Sequence, residues 1–106
     1  MFQPTDKVNF VNRTEFEATL RAEGFEFREG EILPNHHTVP HTHDFDARLF
    51  VLAGSITIVS GDAQILYLPG DSYALPAGTV HAEHTGDEGV RYVAGRRSVA
   101  QAEAAG

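Results

Sequence analysis

All six histidines of the chain fall in two short windows: His36, His37, His41 and His43 in one, His81 and His84 in the other. His41 and His43 are separated by a single residue. In an extended backbone side chains alternate with period two, so both would point to the same face. Their Cα atoms would lie roughly 6.6 Å apart, close enough for two imidazoles to converge on one ion. A third imidazole from the second window would make the donor set of a catalytic zinc or non-haem iron site with open positions. There is no cysteine, so thiolate ligands, disulfides and cysteine nucleophiles are excluded. Any transition metal must be held by imidazole, carboxylate or water.

The elements that would bring the two windows together are strands. "FEFREGEIL" alternates Phe25 and Phe27 with charged neighbours, and "RLFVLAG" and "SITIVSG" are β-branched and aromatic runs with a glycine between them. Gly61-Asp62 is a hairpin signal ahead of "QILYLPG". The stretch from Asp71 to Gly95 reads as short strands broken at Pro76–Gly78 and again at Gly86–Gly89. Short strands at this spacing predict an all-β sandwich or barrel. When such a sheet closes, strands distant in sequence become neighbours. Leu49, Val51, Ile56 and Ile58 are the expected apolar interior wall, and Tyr67, Tyr73 and Tyr92 are expected as wall or core aromatics.

One helix precedes the strands. Thr14 with Glu17 fits a capping box, Phe16 and Leu20 share a face, and Gly24 can close the C-terminus. At about three turns it must pack on something else to persist. A single domain over 1–106 is expected, with an N-terminal arm and helix at 1–24, a barrel at 25–97 and a small, polar tail at 98–106, frayed or loosely helical.

The formal charge is −7, and the only basic cluster, Arg96-Arg97, does not form the stripe a nucleic acid requires. No apolar run approaches the roughly 20 residues of a membrane span. The first ten residues have no basic, apolar leader pattern. A cytoplasmic protein that binds neither nucleic acid nor membrane is expected.

The segment "GDSYALPAGTVHAEHT" resembles the second signature motif of the cupin superfamily, with Gly70, Pro76, Gly78 and His81 in register and Thr85 in the place of the final Asn. The first cupin motif is similar around His41, His43 and Gly54. Its opening Gly place holds Asn35, and its Glu place holds Ala47. The resemblance implies a small single-domain cupin: a double-stranded β-helix, or jelly-roll barrel, with one short N-terminal helix and often a homodimer. It also implies a divalent metal (Fe, Ni, Mn or Zn) on His41, His43 and His81.

Cupins of this kind resemble sites of three histidines plus the first-motif Glu, and Ala47 cannot coordinate. Three ways of filling the gap stand open. A bulge could re-aim Asp46 inward. Glu83 shares the face of His81 by period two, and could also act as the pocket's acid or base or orient an imidazole. Alternatively, water completes a three-histidine site. His36 and His84 have the opposite parity and are expected at the surface. His37 shares the ligand parity and could line the mouth. Asp44 and Asp46 also read as turn formers.

The function implied is a small-molecule dioxygenase or isomerase. The rival is a non-catalytic module that senses or binds a small ligand, similar to the effector-binding half of sugar-responsive regulators. A vestigial pocket in a structural dimer is a third reading.

Overall fold

A computed structural model describes residues 12–98. The expectations for an irregular arm and a frayed tail therefore fall largely outside the described residues. Helix α1 spans Arg13–Ala22 and is followed by five strands: β1 Glu26–Ile32, β2 Phe45–Ser60, β3 Ala63–Tyr67, β4 Ser72–Leu75 and β5 Ala82–Ser98. No described helix is long and apolar enough to cross a membrane.

Helix α1 begins two residues earlier than the capping box suggests. Asn12 is the N-cap, and its side-chain oxygen accepts from the Glu15 N–H at 3.0 Å. Thr14 is already inside the helix, and Glu17 pairs with Arg13 at 2.7 Å instead of closing a box. At the other end Gly24 adopts φ +81°. The Phe25 N–H donates to the Leu20 carbonyl and the Gly24 N–H to that of Arg21, the paired bonds of a Schellman stop. Phe16 and Leu20 are fully buried and pack with Phe25, Phe50 and Val93. This second, smaller core holds the helix on the outer face of the sheet. Each such side chain contributes about 1.5–3 kcal/mol relative to exposure.

The sheet is antiparallel in the order β1-β5-β2-β3, and β4 pairs with the first half of β2. Two breaks expected from glycine are absent. "RLFVLAG" and "SITIVSG" are one strand, and β5 runs straight through Gly86–Gly89. The glycines mark bulges instead, with register shifts on β2 between Val51 and Ala53 and between Gly54 and Ile56. Gly54 has φ +76°, and a Cβ there would overlap the Gly89 carbonyl oxygen, so the two strands can cross this closely only with glycine at that place. The shifts also switch the parity of β2. Leu49 and Val51 before them, and Ile56 and Ile58 after them, all enter the main core with Tyr67, Tyr73, Leu75 and Val90. The expected interior wall is therefore one surface, although its residues change from odd to even positions.

Candidate metal centre

His41 and His81 form an isolated antiparallel bridge, each backbone N–H donating to the other's carbonyl at 2.9 and 3.0 Å. That bridge brings the two histidine windows together. The three rings lie with centroids 4.5 Å apart for His41–His81, 5.0 Å for His41–His43 and 5.2 Å for His43–His81. One donor atom from each lies within 4.8 Å of the others.

The Pro76–Thr79 turn sets the two sides of this cluster. The Gly78 N–H donates to the His43 carbonyl, and the Thr79 N–H and hydroxyl both donate to the Pro76 carbonyl. The Thr79 carbonyl is thereby aimed at His81, whose Nδ1 lies 2.9 Å from it. His41 repeats the arrangement, with Nδ1 2.8 Å from the Val39 carbonyl. A carbonyl only accepts, so in each neutral ring the proton sits on Nδ1 and the lone pair on Nε2. This is how metal-bound imidazoles are held by a backbone partner. The donor set therefore fits a divalent ion.

His81 is almost fully buried. His43 stacks on Phe45 at 4.7 Å, with the rings 18° from parallel. Its pKa is lowered, first by burial and then by the charges of His81 and His41, with Glu83 acting in the opposite sense.

Three residues that depart from the two motifs, or fill a place in them, show why the chain still folds there. Asn35 is the only non-glycine residue with positive φ among the described residues, at +54°. Asn tolerates this left-handed region, so it stands in for Gly. Thr85 is buried; its hydroxyl donates to the Leu33 carbonyl at 2.6 Å and accepts from the His36 N–H, tying the first window to β5. Ala47 lines the cavity beside the histidines and presents a methyl group there.

The carboxylates are placed as follows. Asp46 accepts from the Ala77 N–H at 2.9 Å and lies 3.3 Å from the Arg97 guanidinium, outside the three-histidine group. It braces the Pro76–Thr79 turn. Glu83 faces a cavity of about 690 Å³, together with His43, His81, Tyr73 and Tyr92. Tyr73 is raised well above the usual phenol range and Tyr92 is raised, in both cases by burial first and then by the Glu83 charge. From the sequence these tyrosines are expected only as wall or core aromatics, and Tyr73 is part of the core. His37 does not line the cavity: its ring packs on His84 at 4.4 Å. His36 is exposed.

These features define a small antiparallel β-barrel with three clustered imidazoles, two of which, His43 and His81, line its cavity. Residues 28–95, more than half of the chain, match the family model of the cupin domain, and the chain belongs to that family. No curated protein matches the sequence.

Among solved structures it is similar to a Cupin 2 conserved barrel domain protein from Salinispora arenicola CNS-205, at 23% identity and a TM-score of 0.64, covering 77% of this chain and 70% of that one. It is also similar to the polyketide cyclase RemF from Streptomyces resistomycificus, at 29% identity and a TM-score of 0.58, covering 71% and 60%. A third similar structure is the DMSP lyase DddQ from Ruegeria pomeroyi DSS-3, at 22% identity and a TM-score of 0.63, covering 73% and 40%. The chain thus spans less than two thirds of the last two proteins.

Proposed function

We propose that this cupin binds one divalent ion (Fe, Ni, Mn or Zn) through His41, His43 and His81 and acts on a small molecule in the adjoining cavity. The observation that carries this reading is the pair of Nδ1 contacts to the Val39 and Thr79 carbonyls, which leaves the Nε2 lone pairs of His41 and His81 available to a ligand ion. The ion supplies Lewis acidity, or a centre for O₂, at the cavity wall.

The chain's own residues do the rest. Leu49 and Leu75 exclude water from the inner wall. Glu83, a carboxylate of the cavity, would take a proton from a bound substrate and return it, and Tyr92, one of its two phenols, would hold a substrate oxygen. Of dioxygenation and isomerisation, this arrangement favours the second, because a general base and two phenols serve proton transfer. A non-catalytic binding module is the second reading, favoured by the methyl group of Ala47 at the place where the family motif has a carboxylate.

The test is a melting curve with and without nickel, manganese or zinc. An ion that binds the native state alone, at 100 times its Kd, adds about 2.7 kcal/mol of stability. Stabilisation of that size, absent in His81→Ala, supports the site. Equal melting points with and without each ion would remove it.

A further inference from the structure

Seven arginines lie among the described residues. Arg13, Arg21, Arg48, Arg91 and Arg97 each have a carboxylate within 4.0 Å. Arg28 and Arg96 have none among the described residues, in a chain with a net charge of −7. Both guanidinium groups belong to residues lining the same cavity.

The register explains why they share a face. Arg96 on β5 is directly opposite Glu26 on β1, and Arg28 is opposite Ala94, so Arg28 and Arg96 are diagonal neighbours on the cavity side. Glu26 also lines the cavity, yet it makes no ion pair with Arg96. On its other side Arg96 is directly opposite Ala47 of β2. The Arg96 guanidinium lies over the Phe45 ring at 4.9 Å, and that ring stacks on His43 at 4.7 Å. A cation with no carboxylate partner among the described residues therefore stands one aromatic ring away from His43 of the histidine cluster.

We propose that the cavity takes a small organic carboxylate, its anionic end held by Arg96 and Arg28 beside Ala47 and its other end directed to the histidine cluster. The second half of this statement rests on the metal reading above; the first half does not. Guanidinium and carboxylate match in geometry as well as charge. Three neutral imidazoles leave the charge of a divalent ion uncompensated, and the methyl of Ala47 leaves room for a ligand carboxylate next to it. Glu83 faces the same cavity, which directs the anionic end away from it and towards Arg96.

Calorimetric titration of zinc-loaded and metal-free protein with benzoate against benzamide, and succinate against succinamide, tests this. The variants are Arg96→Gln, Arg28→Gln and Arg96→Lys, with zinc content measured for each. The expected result is a preference of about tenfold or more for the acids over the amides. That preference falls with added salt, disappears in Arg96→Gln, shrinks in Arg28→Gln and partly survives in Arg96→Lys, while zinc content is unchanged. Equal affinity for acids and amides, no measurable binding of either acid, or a preference that survives Arg96→Gln would overturn it. Zinc content alone judges the metal reading. If no zinc binds, the acid preference of the metal-free protein and its dependence on Arg96 still decide the carboxylate site.

Discussion

His41 and His81 are directly paired across an antiparallel bridge, and each ring sets its Nδ1 against the carbonyl of the residue two before it. The pairing fixes the separation of the two backbones, and the carbonyls fix the rotation and tautomer of the rings. Both imidazoles are thus oriented by the fold itself.

The tautomers give a first prediction. In metal-free protein at neutral pH, long-range ¹⁵N–¹H NMR spectra show His41 and His81 protonated at Nδ1 with an unprotonated Nε2. Nε2–H signals for both rings would contradict the arrangement on which the ligand set depends.

His43 gives the pH dependence. Its pKa in the fold lies below the ordinary 6.5, so the unfolded chain takes up the proton first. As pH falls below 6.5 the unfolded state gains protons that native His43 does not, and its contribution makes metal-free protein less stable until the lowered pKa is reached. Histidine NMR titration should find His43 below 6.5, and metal affinity should weaken in acid as the ligands protonate. An affinity flat between about pH 8 and pH 5 would count against imidazole ligation.

Asp46 serves the fold in this account. Replacing it with Ala removes the acceptor for the Ala77 N–H and the partner of Arg97. The expected loss is about 1–3 kcal/mol in urea unfolding, with metal stoichiometry unchanged. Full stability with lost metal would instead make Asp46 a ligand.

Gly54→Ala combines a left-handed backbone with a collision at the Gly89 carbonyl. It is expected to cost more than the roughly 1–3 kcal/mol of the backbone conformation alone. Gly61→Ala, also left-handed but with nothing within 4 Å, bears only the conformational cost. Equal destabilisation of the two variants, measured by urea unfolding, would show that the Gly54–Gly89 approach is not a constraint.

The histidine cluster was legible because each half carries a local signal and the resemblance to the two cupin motifs joined them. The spacing of His41 and His43 sets one face, and Pro76-x-Gly78 sets the turn that presents His81. Register was not legible. A glycine inside an apolar run fits a turn and a bulge equally well, so Gly54 and Gly86–Gly89 read as strand ends when the strands in fact continue. The position of Arg96 opposite Ala47 follows from strand pairing, which period-two counting cannot supply. The helix start was misplaced for a similar reason. Asn12 and Thr14 both satisfy the N-cap rule, and only the backbone shows which side chain reaches an unsatisfied N–H.

The central claim is tested most directly by elemental analysis of untagged protein purified without chelator, run beside a His41→Ala/His81→Ala double variant. The account predicts close to one equivalent of a divalent transition metal in the wild type and none in the variant. Metal-free protein in both, with no uptake on adding iron, nickel, manganese or zinc, would contradict it.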